Sequence, residues 1–179
     1  MFLETQRLVL RKWEEADFAA FYSWAADSEM CRMLGRPEIT DEPSARRIFD
    51  WLKDREPRGY AILLKETGLC IGNLTVTRPS PFVLLRPQVR GKSGCALSFA
   101  ISREYRRLGL MEEAVRAVIA RLFEEGCAYI NCGHFDFNLP SAALQRKLGF
   151  AHLATETVRE GETELVCIEN ILWKDEMQE

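Results

Sequence analysis

The residues Tyr105-Arg106-Arg107-Leu108-Gly109-Leu110-Met111-Glu112-Glu113-Ala114 combine types and spacing that could do chemistry. They follow an apolar run that reads as a strand and open an amphipathic run that reads as a helix. An arginine-rich turn with a glycine at such a junction is a candidate anion site. The first helical N–H groups lack intrahelical acceptors, and the helix dipole favours negative charge there. An ordinary strand-to-helix turn with solvated arginines would look the same. Downstream stand Asn138-Leu139-Pro140-Ser141 and Lys147-Leu148-Gly149-Phe150. Asn138 and Pro140 suit a helix start. Asn138 and Ser141 could also offer polar groups to a ligand at the strand ends. Just upstream, His134 and Asp136 fall in phase with Cys132 on one strand face and could handle a proton; a structurally satisfied histidine is the plainer alternative.

Other chemistries are disfavoured. Gly91-Lys92-Ser93 imitates a phosphate-binding loop, but Arg86 stands where the first glycine should be, and a strand pattern follows. The dinucleotide fingerprint G-x-G-x-x-G is unmatched at Gly109. The cysteines (Cys31, Cys70, Cys95, Cys127, Cys132 and Cys167) form no Cys-x-x-Cys pair or zinc spacing. Reduced, mostly buried thiols and no metal are expected. A net charge of −3 argues against a nucleic-acid partner. The basic connection with Arg78, Arg86, Arg90 and Lys92 reads as a solvated loop, or as an attractor of acidic ligands. Met1 to Arg7 shows no secretory pattern, and no apolar run approaches the ~20 residues of a membrane span. A cytoplasmic chain without a membrane partner is expected.

The elements that must position these residues read as follows. Leu8 and Leu10 alternate with Arg7, Val9 and Arg11 in a first strand. Glu14 to about Met33 reads as one helix with a Phe18, Phe21, Tyr22, Ala25, Ala26 stripe. Asp41 caps a second helix with Pro43 in its first turn and Ile48, Phe49 and Leu52 as its apolar face. Trp13, Trp24 and Trp51 are core candidates. Residues 59–65 and 69–77 are strands about a Lys65–Gly68 turn. Residues 78–93 read as a long irregular connection, and 94–101 as a strand. Residues 109–125 form a helix with Met111, Val115, Val118 and Leu122 on one face. Tyr129 to Phe135 is a strand, Pro140 to Lys147 a short helix, and 150–159 with 163–173 a hairpin about Glu160-Gly161-Glu162. The order gives one mixed α/β domain over residues 1–179.

Taken jointly, these residues resemble the GNAT superfamily of acetyl-CoA-dependent N-acetyltransferases, and look most like its ribosomal-protein N-terminal acetyltransferase branch. Leu3 to Arg11 is similar to the branch's first strand. Ala96 to Ile101 looks like the strand beside the pantetheine arm. Arg106 and Gly109 match the pyrophosphate motif, and Asn138, Ser141 and Lys147-x-Gly149-Phe150 match the branch's downstream pattern. The resemblance implies a strongly twisted mixed sheet with splayed central strands and flanking helices. It implies acetyl-CoA as acyl donor, with Phe99 and Ile101 offering backbone groups to the pantetheine. The amides from Arg107 through Leu108, Gly109 and Leu110 to Met111 would hold the pyrophosphate, and Asn138 and Ser141 would lie at the pantetheine or sulfur end. An amine acceptor, either a protein N-terminus or a small molecule, would attack the thioester directly. The implied protein is a monomer or homodimer.

The chain also departs from the pattern. Ala96 and Ser98 stand where the branch often carries a carboxylate and a glycine, and Leu144 stands where many relatives carry a thiolate-protonating Tyr. Ser141 becomes the candidate acid, with His134 or Asp136 assisting deprotonation. Met111 replaces a small residue beside the pyrophosphate, which backbone binding tolerates if its side chain packs inward. A CoA-binding module without transferase activity is the alternative.

Overall fold

In the computed structural model, which describes residues 2–54, 58–160 and 163–175, the Leu8–Leu10 alternation becomes a strand with both leucines fully buried. Met1, Gly161 and Glu162, which enter the sequence reading, lie outside the described residues. The architecture is the expected mixed β-sheet with flanking helices. The chain divides into two compact units, residues 1–76 with 99–118, and residues 77–98 with 119–179. No helix among the described residues is long and apolar enough to cross a membrane.

In the first unit, β1 (Leu3–Glu4), β2 (Leu8–Arg11), β3 (Arg58–Leu64) and β4 (Cys70–Thr77) pair antiparallel in that order. Leu8 lies opposite Leu64 and Leu10 opposite Ile62, so the buried leucines share a face. Gly68, at φ +70°, closes the β3–β4 turn.

The helix read from Glu14 to Met33 is in fact broken. A 3-10 turn (Glu15–Asp17) leads into α1 (Phe18–Ala25), and α2 (Ser28–Met33) starts afresh. Asp27 causes the break: its backbone is extended and its side chain accepts from Met30 N at 2.8 Å, an N-cap inside an otherwise helical pattern. α3 (Glu42–Lys53) is capped by Asp41, which accepts from Ser44 N at 2.8 Å.

Phe49 of α3 packs edge-on to Trp13 and tilted to Phe21, at centroid distances of 5.4 and 5.6 Å. The cluster continues onto Ala61, Leu63, Cys70 and Ala100. Trp13 and Trp24 join this core, but Trp51 is 55% exposed. Two residues beyond Phe49 is about 200° around a helix, which turns Trp51 to the outer face. At the edge of this core Arg11 grips the buried Asp17 through two bonds of 2.7 and 2.8 Å.

The second unit includes the connection that the sequence leaves irregular. It contains α4 (Pro81–Leu84), because Ser80 Oγ accepts from Val83 N at 3.3 Å and Pro81 suits a first turn. Val83 and Val89, the latter the last residue of a further 3-10 turn (Pro87–Val89), are buried against Tyr129 and Ile171.

The strands β5 (Gly94–Ile101), β6 (Tyr129–Phe135), β8 (Thr163–Trp173) and β7 (Ala151–Glu160) lie side by side in that order. β5 and β6 are parallel, starting with Gly94 opposite Tyr129, and the other pairs are antiparallel. α6 (Leu139–Lys147) follows β6. Three elements run from one unit into the other: β4, whose last residue Thr77 belongs to the second, β5, whose last residues Phe99–Ile101 belong to the first, and α5 (Leu110–Glu124). α5 buries Met111, Val115, Val118 and Leu122 on one face and ends at Gly126, φ +97°. All six cysteines are free thiols, four of them buried.

Phe49→Ala removes the ring on which Trp13, Phe18 and Phe21 converge, and should cost about 4 kcal/mol of stability. Urea unfolding followed by tryptophan fluorescence checks this; a loss within experimental error would mean that the aromatic cluster is not the core of this unit.

Candidate functional site

The strand-to-helix junction of the first unit is held open from below. Ser102 N donates to Ile71 O at 2.8 Å and anchors the end of β5 to β4. Ala100 O lies so close to Gly72 that no side chain would fit there. Phe99 and Ile101, on either side of Ala100, are half-buried. A 3-10 turn (Arg103–Tyr105) follows.

The Arg106 guanidinium then turns back onto Ile101 O at 3.4 Å and the Glu29 carboxylate at 3.2 Å. Arg107 has φ +63° and Gly109 φ +74°. A left-handed backbone costs a non-glycine residue roughly 1–2 kcal/mol, so Arg107 must be kept there by its surroundings. Arg7 supplies the hold: Nη1 donates to Leu108 O at 2.9 Å, and Nε to Glu113 Oε2 at 2.7 Å. Arg7 N and Thr5 Oγ1 complete the grip on Glu113, at 2.8 and 2.5 Å.

The result is a row of backbone donors. Among the described residues, the N–H groups of Arg107, Leu108, Gly109, Leu110 and Met111 make no well-formed hydrogen bond in the protein, that of Leu108 closing the Arg106–Arg107 turn only loosely. Arg107, Leu108 and Gly109 are exposed, whereas Leu110 and Met111 bury their side chains. Met111 therefore packs inward and leaves its amide clear. Two carboxylates in the first turn of α5 would repel an anion, but both are paired: Glu112 with Arg116 at 3.1 Å, and Glu113 with Arg7. Burial pushes the Glu113 carboxyl up, yet the bonds from Thr5 and Arg7 outweigh it and hold the group below its ordinary value.

The second unit brings Ser141 and His134 onto one polar chain. Asn138 caps α6, its Oδ1 accepting from Ser141 N at 3.2 Å. Ser141 Oγ accepts from Gln145 Nε2 at 3.0 Å. The fully buried Gln145 accepts in turn from Asn170 Nδ2 at 2.8 Å, and Asn170 Nδ2 stands 3.3 Å from His134 Nδ1. With Asn170 Nδ2 as donor, Nδ1 must accept, and the neutral ring carries its proton on Nε2. Burial pushes the His134 pKa down, partly offset by a hydrogen bond with Gln145.

Asp136 departs from the sequence reading. β6 ends at Phe135, so the strand alternation does not reach Asp136, which is exposed in the following turn with its N–H donating to Val166 O at 3.0 Å. In the basic connection, Arg86 lies over the Phe82 ring and Lys92 over Trp173, each at 4.2 Å.

Sequence reasoning missed Gln145, Asn170 and Glu169. Glu169 is buried on β8 opposite Gly133 and accepts from Asn131 Nδ2 at 3.0 Å. Burial raises its pKa, and Glu156 adds to the rise against the Asn131 bond. The available signal was a carboxylate inside the apolar run Val166 to Leu172.

Comparison with known proteins fits this geometry. Residues 7–151 match the acetyltransferase (GNAT) domain. The structure is similar to that of a GNAT-family acetyltransferase from Bacillus anthracis, with a TM-score of 0.83 and 18% identity over 98% of this chain and 99% of that one. It is also similar to the ribosomal-protein-S5-alanine acetyltransferase from Vibrio fischeri, with a TM-score of 0.71 and 14% identity over the full length of both. In sequence it is 21% identical over 150 residues to the uncharacterized N-acetyltransferase YnaD of Bacillus subtilis, covering 83% of this chain and 82% of that protein.

The chain has two histidines, so a proton NMR titration with His134→Gln for assignment isolates the His134 ring. Its midpoint should fall below the ordinary imidazole value of about 6.5. The unfolded chain then takes up a proton near that pH that the native state takes up only lower, so this group costs stability as pH falls through the window. A midpoint above 6.5 would show that the Asn170–Gln145 chain does not fix the neutral ring.

Proposed function

The chain belongs to the acetyltransferase (GNAT) domain family, and from that premise we propose that it carries an acetyl group from acetyl-CoA to a primary amine by direct attack, without an acyl-enzyme. Family membership supports the general activity, acetyl-CoA-dependent transfer. The observation that carries the site assignment is the row of backbone N–H groups from Arg107 to Met111 without well-formed hydrogen bonds in the protein. These donors, at a helix start with both first-turn carboxylates paired, fit a pyrophosphate. Arg106 shapes the turn, its N–H donating to Arg103 O and its guanidinium engaged by Glu29 and Ile101. Phe99 and Ile101 serve the pantetheine through their main chain, and Asn138 and Ser141 serve its sulfur end.

Bound acetyl-CoA supplies an activated acetyl thioester. The protein's own groups then orient the reactants and move protons. Gln145 donates to Ser141 Oγ, which leaves the serine hydrogen to be given to the departing sulfur. His134, with Nδ1 occupied and Nε2 protonated, has no lone pair for an ammonium proton. We place it as a positioning residue that fixes Asn170, and through it Gln145 and Ser141. Asp136, exposed at the turn, is placed to pass protons to solvent. A protein N-terminus is the favoured acceptor, supported by the branch resemblance and by the likeness to the Vibrio fischeri enzyme; a small amine is second. Tight CoA binding with no transfer to any amine of a broad panel would instead identify a CoA-binding module.

Two substitutions test the assignment. Gly109→Val forces a β-branched residue onto a left-handed backbone and should weaken acetyl-CoA binding about tenfold or more, the worth of one charge-assisted hydrogen bond. Calorimetric titration reads this, and an unchanged Kd would remove the turn from the pyrophosphate site. Ser141→Ala should lower kcat on the order of 10²-fold, the usual contribution of a general acid, with CoA affinity retained. A wild-type kcat would discard the serine as acid.

A further inference from the structure

The reaction needs a base, because an amine is protonated at neutral pH and an ammonium has no lone pair. Neither His134 nor Ser141 supplies one, and Asp136 is solvated. The second unit holds another carboxylate. Glu169 lies on β8 with 8% of its surface exposed, in register with Gly133 of β6 on one side and Ala154 of β7 on the other. Its carboxylate occupies the space that a Gly133 side chain would fill: a β-carbon there would stand 3.0 Å from Oε1 and 3.1 Å from Oε2. Gly133 itself is exposed, so the carboxylate borders a point of the sheet that solvent reaches. Residues directly opposite on neighbouring strands share a face. The alternation along β6 puts Asn131 and Gly133 on the Glu169 face, and Cys132 and His134 on the other.

Asn131 supplies the second observation. It is 97% buried, and its Nδ2 donates to Glu169 Oε2 at 3.0 Å. Its carbonyl oxygen Oδ1 is buried with no hydrogen-bond partner among the described residues. A buried carbonyl without a donor is costly. An ionised carboxylate accepts only; Glu169 has the Asn131 N–H on Oε2 and the Cys167 thiol 4.0 Å from Oε1, no cation pairs with it among the described residues, and Asn131 Oδ1 is left without a donor. Glu156 is opposite Cys167, two residues before Glu169, and adds negative charge to the same face.

We propose that Glu169 is the base that receives the proton of the acceptor's primary ammonium group, with Asn131 Oδ1 accepting a second N–H of the same group. This rests on the acetyltransferase reading. One N–H bond of the ammonium breaks and its proton goes to a Glu169 oxygen, leaving a neutral amine with a free lone pair. That pair forms the C–N bond while the C–S bond breaks and its electrons leave on sulfur. Ser141 gives its hydrogen to the departing sulfur and is restored by the proton shed by the amide nitrogen, and Glu169 returns its own proton to solvent. Burial suits the group to the task, since it holds the carboxyl above its ordinary value against the opposing bond from Asn131. The titratable groups in electrostatic reach are Glu156 of β7, Cys167 of β8 and Cys132 of β6. Burial pushes the Cys167 thiol up to about 11 and the Cys132 thiol higher still, so both stay neutral while Glu169 titrates.

The test has a binding arm and a kinetic arm. Carbon-13 NMR of the full-length protein, with Glu169 assigned through Glu169→Gln, should show the carboxyl titrating above the ordinary value of about 4.3, and its midpoint should fall when ethylammonium is added. A midpoint at or below 4.3, or one indifferent to ethylammonium, overturns the proposal. With acetyl-CoA and a tripeptide bearing a free N-terminus as probe, Glu169→Gln should lower kcat on the order of 10²-fold and abolish the acid limb of the pH profile, with the acetyl-CoA KM unchanged. A persisting limb in that variant overturns it as well. Gly133→Ala keeps the carboxylate but crowds it, and should lower kcat with the fold retained; wild-type kinetics there would contradict the placement. If the wild-type protein acetylated no amine at all, the transferase reading would fail, and the ethylammonium titration would still decide whether Glu169 holds an ammonium group.

Discussion

A backbone that presents its N–H groups without giving them well-placed acceptors is the constraint on which the rest of this structure depends. Every such donor wants a partner. Between β5 and α5 the chain spends residues to prevent a well-formed one from arising internally. Arg107 is held left-handed, Leu108 O is occupied by Arg7, and Glu113 is drawn onto Arg7 and Thr5 instead of facing the turn. The otherwise slight β1–β2 segment thus has a reason to exist: it carries the cation and hydroxyl that fix the first turn of α5. The anchoring of β5 beside Gly72 fixes the other side of the same junction.

The second unit follows the opposite rule. Its polar interior is paired from end to end, from Asn138 through Ser141, Gln145 and Asn170 to His134. Such chains rigidify because each member's geometry is set by the next. A serine whose oxygen already accepts is oriented before any substrate arrives, and a histidine kept neutral adds no charge beside it. Against this background the unpartnered Asn131 oxygen and the buried Glu169 carboxylate stand out. One face of the strands is satisfied and the other is not.

Much of this was legible in the chain because it depends on local chemistry. Leu8 and Leu10, the Asp41 cap, the α5 stripe and the Asn138–Pro140 helix start are set by neighbours within a few residues. The Asp27 break and the Ser80–Pro81 turn were also local, but each lay inside a pattern of another kind, a helical stripe in one case and a proline-rich connection in the other. Trp51 misled because an aromatic type was weighed above its angular position relative to Phe49. Asp136 misled because the strand ended one residue earlier than its alternation suggested. Glu169 could not have been placed: its meaning comes from lying opposite Gly133, and register between β6 and β8 is not written in either strand alone.

The central claim is that the exposed amides of the strand-to-helix turn bind a pyrophosphate. The most direct measurement is a nitrogen-15 to proton correlation spectrum followed through titration with CoA and, separately, with pantetheine, which lacks the pyrophosphate. The account predicts that CoA moves the Arg107 to Met111 amide resonances strongly, as new charged acceptors form on them, and that pantetheine leaves them in place. Saturating CoA that shifts resonances elsewhere while those five stay still would contradict it.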